Sequence, residues 1–310
     1  MASICKICDK KFDSDRSLHS HLKAHEIRMV EYYQTQHPRH DKHDGNIIKF
    51  KNKDQYFSTD FNSRTHMRMW LKDQPKNEAV GYCKDLLVKR KNKKNLIYSP
   101  CQVELRSVMI PPIHFYNKVI GNYYELCESI GLKNKYVDID NITYGTSLQN
   151  QKIYIDTREQ KPLKFKRETE TKTLKFGDYA LSDKEATCNC YIERKSVGDF
   201  IGTMSGGIER FKNEIGRAKD ADAYLVVLVE ESFSNCLSFN YLPHVYKKNT
   251  KATPEYIFRN VRDLIQEYPH IQFLFVHGRK KASEIVEKIF TCGCLYRKMD
   301  LQLAYDSKVL

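Results

Sequence analysis

Three side chains of the kinds that cut a phosphodiester bond recur in order: Asp178 in FGDYAL, then Glu193 and Lys195 in CYIERKSVGDF. The second stretch begins as an apolar run of a buried strand, yet it ends in Glu193, Arg194 and Lys195. Charges that leave water need a partner or a metal. Side chains alternate along a strand, so Glu193 and Lys195 project to one face and Arg194 to the other. If Asp178 lies on the adjacent strand, its carboxylate and that of Glu193 can share a divalent cation, with the lysine ammonium alongside. Hard oxygen ligands suit Mg2+ or Mn2+. Such a cation polarises phosphate and lowers the pKa of water, while a lysine orients that water or offsets developing charge.

A second chemistry stands at the front of the chain. In CKICDKKFDSDRSLHSHLKAH, Cys5 and Cys8 are followed after a twelve-residue gap by His21 and His25. A tight hairpin presents two thiolates, and two histidines at i and i+4 share one helix face, so four ligands surround one Zn2+. Phe12 and Leu18 supply the small apolar core, and the metal supplies most of the folding energy. The stretch closely resembles the two-Cys two-His zinc finger family. That resemblance implies a ββα unit whose helix enters the major groove with Ser14, Ser17 and Ser20 at the base-reading positions and Arg16 nearby. Serines read bases poorly, and one finger spans only about three base pairs, so a docking or tethering role weighs as much as sequence recognition. His19, facing away from the paired ligands, is expected at the solvated surface.

The elements that must position the carboxylates follow from periodicity. KIYIDTRE reads as a strand ending at Asp156, TKTLKFGDYALS crosses Gly177 and Asp178, and CNCYIERK is a further strand. SVGDFIGTM and GIERFKNEIGRAKD read as helices, AYLVVLV as a central strand, a helix starts at Thr253 and Pro254, QFLFV is another strand, and a last helix runs from about Lys281 to Phe290. Alternating strands and helices give an α/β domain with a mixed sheet covered on both faces. Ahead of it, residues 26 to about 60 read as polar linker, with His37, His40 and His43 in a solvated loop. DLLVKRKNKKNLIYS reads as a strand, a basic turn and a strand, and residues 113 to 130 as one amphipathic helix capped by Gly131. Lys89, Arg90 and Lys91, with Lys93 and Lys94 in the same basic turn, are candidate phosphate contacts, with a solvated hairpin tip or a localisation signal as the even alternative.

The combination of IDTRE, GDYAL and IERKSVGDF, with 14 residues between Asp178 and Glu193, resembles the nuclease domain of the XPF family of structure-specific endonucleases. The likeness covers about residues 152 to 230 in motif detail and extends to about 292 in element order. It implies a restriction-endonuclease-like fold, with Asp178 and Glu193 as metal ligands and Lys195 as the catalytic lysine. Asp156, Arg158, Glu159, Arg194 and Asp199 match motif positions that support metal, phosphate or site geometry. Arg158 is favoured as a phosphate contact, and Asp199 divides evenly between the site and a helix cap with Ser196. The resemblance also implies a dimer through the nuclease domain. The residues after Phe290 are too few for the tandem helix-hairpin-helix motifs common in eukaryotic relatives, so the finger and the basic middle are expected to substitute in gripping DNA.

A formal net charge of +13, from 52 Lys and Arg against 39 Asp and Glu, favours a polyanionic partner, DNA first. No apolar stretch approaches the ~20 residues that span a bilayer, and MASICKICDKKF lacks a signal-peptide core, so an intracellular protein, nuclear or cytoplasmic, is expected rather than a secreted one. The ten cysteines are expected as zinc ligands and reduced thiols; Cys83, Cys101, Cys127 and Cys236 read as packing residues. A second metal site joining Cys188/Cys190 with Cys292/Cys294 is weighed against plain packing, which is favoured. The expected organisation is a zinc finger at 1–26, a basic linker and mixed α+β middle region at 27–150, a nuclease domain at 151–292 and a tail at 293–310. The expected function is a divalent-metal-dependent endonuclease acting on branched, flapped or forked DNA. The alternatives are a catalytically inactive nucleic-acid-binding partner subunit and a zinc-finger regulator.

Overall fold

Residues 3–39, 47–58, 64–108, 110–138, 148, 150–239, 242, 245 and 252–310 are described by the structure, a computed structural model. Two compact units divide the chain: residues 1–89 with 109–111 and 118–121, and residues 90–108 with 112–117 and 122–310.

In the first unit a short hairpin, β1 (Ser3–Ile4) and β2 (Lys11–Phe12), precedes α1 (Asp15–His21). Ser14 caps α1 by accepting from the Ser17 backbone N–H. This is the expected ββα finger. The segment read as linker is instead structured in large part: α2 (Met29–Gln36) and α3 (Lys53–Ser58) follow, and Tyr32, Tyr33, Ile48, Phe50 and Tyr56 share one core with Cys5, Leu18 and Leu22. The reason is aromatic. Tyrosines bury a large ring while their hydroxyls stay bonded, and Tyr32 Oη accepts from the Lys6 N–H at 2.9 Å. His19 is likewise not simply solvated, since its Nε2 lies 2.8 Å from Tyr33 Oη. His37 follows α2 with its ring 5.7 Å from those of Tyr32 and Tyr33, whereas His40 and His43 lie outside the described residues.

Two helices, α4 (Arg64–Asp73) and α5 (Lys76–Lys94), come next, and α5 passes from the first unit into the second at Arg90. The strand, basic turn and strand expected over residues 85–99 is therefore corrected: residues 85–94 continue α5, and beyond it Tyr98 forms an isolated parallel bridge with Lys133. Ala79, Cys83, Leu86 and Leu87 are buried at helical spacing, and Lys, Arg, Leu and Asn carry little of the β-branching that favours strands. The single helix expected over 113–130 is also corrected. It is broken into α7 (Ile113–Phe115), a wider turn over Tyr116–Ile120, and α8 (Tyr123–Ser129). Gly121, at φ +128°, ends the first part, and Asn122 caps the second by accepting from the N–H groups of Tyr124 and Glu125.

The second unit is built on one six-stranded sheet in the order β4-β3-β5-β6-β7-β8. Its strands are β3 (Ile153–Asp156), β4 (Thr169–Lys172), β5 (Tyr179–Leu181), β6 (Cys190–Lys195), β7 (Tyr224–Val229) and β8 (Ile271–Phe275). β3 and β6 each pair antiparallel with β5, and the other neighbours pair parallel, so the sheet is mixed as expected. Helices α9 (Val197–Met204), α10 (Ile208–Asp220), α12 (Pro254–Glu267) and α13 (Gly278–Thr291) flank it, with a short α11 (Phe233–Cys236). Thr253 caps α12 by accepting from the Tyr256 N–H, as its sequence predicts.

One core cluster joins Ile155, Tyr179, Ile192, Val226, Leu228 and Leu274 to Ile285, Val286, Ile289 and Phe290 of α13. A separate knot of rings, Phe200, Phe233, Phe258 and Phe275, packs with centroids 4.8 to 6.0 Å apart. The residues beyond Cys292 also enter the core: α14 (Leu301–Asp306) buries Leu301, Leu303 and Ala304, and Gln302 Oε1 accepts from the Phe275 N–H at 2.8 Å. Residues 102–106, forming α6, join the same end through Arg106 and Asp306, paired at 2.7 Å.

The second metal site considered for the CxC pairs is corrected: Cys188 and Cys294 form a disulfide, and Cys190 and Cys292 are buried thiols. No helix among the described residues is long and apolar enough to cross a membrane.

Candidate functional site

The carboxylate centre lies where β3, β5 and β6 meet. Gly177, at φ +57°, lets the chain turn tightly against β6; a Cβ there would meet the Ile192 carbonyl oxygen at 2.8 Å. This close passage pins Asp178 by its backbone on both sides: its N–H donates to Ile192 O at 2.8 Å and its carbonyl accepts from Asp156 N at 2.9 Å. Its side chain then reaches β6, where Oδ2 accepts from the Arg194 N–H at 2.7 Å. Burial, then the nearby Glu193 charge, pushes the Asp178 carboxyl up to about 7.

Glu193 and Lys195 stand on one face of β6, as strand alternation requires, and Lys195 Nζ donates to Glu193 Oε1 at 2.8 Å. The lysine side chain is only 11% exposed, and its ammonium lies 5.3 Å from the Phe211 ring centroid on α10. Arg194 has a different job. Its guanidinium bonds both Glu159 oxygens at 2.9 Å and Glu230 Oε2 at 3.1 Å. Although burial opposes the charge, these carboxylates hold the Arg194 pKa above its ordinary value. The opening puzzle of three consecutive charges thus has two answers, pairing for Arg194 and a lean, one-lysine compensation for the face that carries Glu193.

Asp156 is saturated. Oδ1 accepts from the Arg158 N–H at 2.8 Å and Nε at 2.6 Å, and Oδ2 accepts from Leu174 N at 2.7 Å and Arg158 Nη2 at 3.2 Å. Burial alone would raise this carboxyl, yet the bonds from Arg158 and Leu174 hold it below its usual range. Arg158, 69% exposed, is thereby tied to Asp156 while its outer face remains open to solvent. Asp199 sits at the start of α9, where its N–H donates to Ser196 Oγ at 3.2 Å and its Oδ2 accepts from the same hydroxyl at 2.6 Å. That is the cap geometry.

Glu214 on α10 escaped the sequence reading. Burial, followed by repulsion from Glu193, raises its pKa, while Lys195 acts in the opposite sense. It therefore belongs to the same electrostatic neighbourhood. The available signal was its place in the helix, between Phe211 and Ile215 of the apolar stripe, where a solvated acid is unexpected. Asp178 and Glu214 thus each feel the Glu193 charge, and the one cation bonded on that face is Lys195, to Glu193. Asp178 and Glu193 offer the hard oxygens that suit a divalent cation.

In the finger, Cys5, Cys8, His21 and His25 offer ligand atoms that all lie within 4.8 Å of one another, the one such group among the described residues. Cys8 Sγ is 3.2 Å and Cys5 Sγ 3.5 Å from the nearest histidine Nε2, and the two Nε2 atoms are 3.1 Å apart. A tetrahedral zinc with ligands at ~2.0–2.3 Å needs edges of about this length. Arg16 is exposed on α1, but Ser14 and Ser17 bond each other at 3.1 Å and Ser20 Oγ donates to Arg16 O at 3.1 Å, so the serine hydroxyls have local partners. Of the basic candidates on α5, Lys89 is exposed, while Lys91 Nζ donates to the carbonyls of Ile130 at 2.6 Å and Gly131 at 3.2 Å. Lys91 ties down a helix end. Arg90 Nε is buried without a partner among the described residues.

Residues 155–289 match the ERCC4 domain family. Two solved structures are similar to part of the chain: XPF from Aeropyrum pernix in complex with DNA, 19% identical with a TM-score of 0.35 over 45% of this chain and 62% of that one, and XPF from Aeropyrum pernix alone, 18% identical with a TM-score of 0.34 over 45% and 59%. The chain thus spans about three fifths of the length of these structures. No curated protein matches it.

Proposed function

We propose, on the match of residues 155–289 to the ERCC4 domain family, that the protein is a divalent-metal-dependent endonuclease cutting DNA at branched, flapped or forked structures. The observation that carries this reading is that Asp178, immediately before β5, bonds the Arg194 N–H between Glu193 and Lys195 of β6, with the burial cost of its carboxyl only partly offset by that bond. Asp178 and Glu193 would hold Mg2+ or Mn2+, and the cation supplies Lewis acidity to a phosphate oxygen. Lys195 is held by Glu193 within reach of the same face, where its N–H groups orient the attacking water and offset charge developing on phosphorus-bound oxygen. Arg158, exposed beside Asp156, meets a phosphate of the bound strand.

Arg194, Glu159, Asp156 and the Asp199–Ser196 cap are positioning residues. They fix the ends of β3 and β6 and the start of α9, so that the two carboxylates stay close without rearrangement. The finger binds Zn2+ and, with the chain's net charge of +13, adds affinity for DNA. A dimer through the nuclease domain is part of the same proposal. The presence of Asp178, Glu193 and Lys195 together argues against the non-catalytic reading.

The test is cleavage of labelled flap, fork, junction and duplex DNA in Mg2+ or Mn2+, beside Asp178→Asn and Lys195→Ala. Cutting by the wild type at branched substrates, lost in both variants, is expected; equal background from all three proteins would end the proposal.

A further inference from the structure

The segment 161–166, between β3 and β4, runs past the N-terminal half of α13 and encloses a cleft of about 690 Å3. Lys161, Lys164, Lys166, Arg279 and Lys280 line it, with Glu284 and Glu287. Both acids are already engaged: Lys281 pairs with Glu284 at 3.0 Å, and Glu287 accepts from the backbone N–H groups of Lys166 and Arg167. The walls are also fixed. Arg279 Nη2 donates to the carbonyls of Lys161 and Pro162, and Ser283 Oγ donates to Lys164 O. Three backbone carbonyls of the segment are thereby engaged. None of the ammonium groups of Lys161, Lys164, Lys166 and Lys280 lies in an ion pair among the described residues, although those of Lys166 and Lys280 act on the Glu284 carboxylate from a distance.

The cleft is connected to the carboxylate centre. Arg279 pairs with Glu230 Oε1 at 3.3 Å, and Glu230 Oε2 pairs with Arg194, the residue between Glu193 and Lys195. We propose that this cleft binds the sugar-phosphate backbone of a nucleic-acid strand running to or from the carboxylate centre. Four unpaired cations spread along two elements suit successive phosphates better than one small anion, for which they would converge. Their aliphatic stems form a surface for sugars, and no aromatic ring lines the cleft to stack a base, so the contact is independent of sequence. The inference rests on the nuclease reading only for the direction of the strand.

The test uses the full chain with zinc present and measures binding of a labelled fork DNA in magnesium-free buffer across a series of KCl concentrations. Lys161→Ala/Lys164→Ala/Lys280→Ala is compared with a charge-matched variant at exposed lysines that do not line the cleft, Lys133→Ala/Lys219→Ala/Lys298→Ala. The cleft variant should bind about tenfold more weakly and lose about two to three from the slope of log Kd against log salt, since each lost phosphate contact removes about 0.9. An unchanged slope, or an equal loss in the matched variant, overturns the proposal. Cleavage by the wild type in Mn2+ separates the two readings: weaker binding by the cleft variant with no cutting by the wild type leaves the cleft standing and removes the nuclease. Cutting with unchanged binding does the reverse.

Discussion

Cys5, Cys8, His21 and His25 come from 21 consecutive residues, whereas Asp178, Glu193 and Lys195 depend on a sheet whose strands are drawn from residues 153 to 275. The finger gathers its ligands around a small core, and without a cation little else opposes the repulsion and desolvation of thiolates and rings. The carboxylate centre is the converse. Its neighbours Asp156, Glu159 and Arg194 are already bonded, and only the face with Asp178, Glu193 and Glu214 is short of positive charge. On the proposed reading, zinc at the finger is part of folding, whereas the carboxylate centre is a shortfall of positive charge built into a scaffold that folds without a cation.

The largest effect should come from breaking the first half of that contrast. Cys5→Ser, or removal of zinc by a strong chelator, forfeits metal binding free energy on the order of 10 kcal/mol and should unfold the core shared by Leu18, Leu22, Tyr32 and Tyr56. Limited proteolysis should then cut within residues 5–56, and zinc content should fall from about one ion per chain. The sheet of the second unit should keep its thermal transition. If chelation melts the whole chain as one transition, the two metal groups are not separable as argued.

Next in size is the loss of chemistry without loss of fold. Lys195→Ala and Asp178→Asn should each lower single-turnover cleavage of a saturating fork by about a thousandfold, equivalent to ~4 kcal/mol of transition-state stabilisation. Binding in the absence of metal should change by less than about threefold. A loss of binding as large as the loss of rate would place these residues in the grip on DNA instead of in the reaction.

Arg194→Ala tests the scaffold itself. Its guanidinium is 14% exposed and Glu159 5%, so the substitution leaves a buried carboxylate unpaired. Destabilisation of about 3 kcal/mol is expected from chemical denaturation. Glu159→Gln, which keeps a carbonyl acceptor, should cost less. If the arginine variant is as stable as wild type while its cleavage vanishes, Arg194 acts on substrate directly.

How much of this was legible in the sequence follows from how local each cause is. The finger's ligand spacing, the alternation that puts Glu193 and Lys195 together, and the Thr253–Pro254 helix start are all settled within a few residues, and the structure has each of them. The burial of Tyr32 and Tyr56 against the finger was not legible, because a polar segment with scattered rings reads as linker until a partner core exists. α5 misled for a related reason: its basic run looked like a turn, while the helix is set by apolar residues four and seven positions apart. The cap formed by Ser196 and Asp199 was visible as one of two alternatives, whereas the pairing of Asp156 with Arg158 was not read, because Arg158 was favoured as a phosphate contact. Glu214 and the disulfide between Cys188 and Cys294, 106 residues apart, needed the fold.

The smallest effect is the one that separates the two halves of the comparison most cleanly, because it reads the charge vacancy directly. Burial and Glu193 raise the Asp178 carboxyl from 3.8 to about 7 in the folded, metal-free chain. The native state then holds a proton that the unfolded chain releases, so stability falls as pH rises from about 4 to about 7 and stays reduced above that. Asp178→Asn removes the ionisation and should raise stability at pH 8 by about 1–2 kcal/mol in the presence of a chelator that leaves the finger's zinc in place, with the advantage shrinking towards pH 4. Mn2+ should reverse the ranking, since a cation replaces the proton only in the wild type and stabilises it by mass action. Thermal melts of both proteins at pH 5 and pH 8, with and without Mn2+, give the four values required. A variant that is less stable than wild type at pH 8 without metal would mean that Asp178 is compensated by a group of its own, and the sheet centre would then have no unmet demand for a cation.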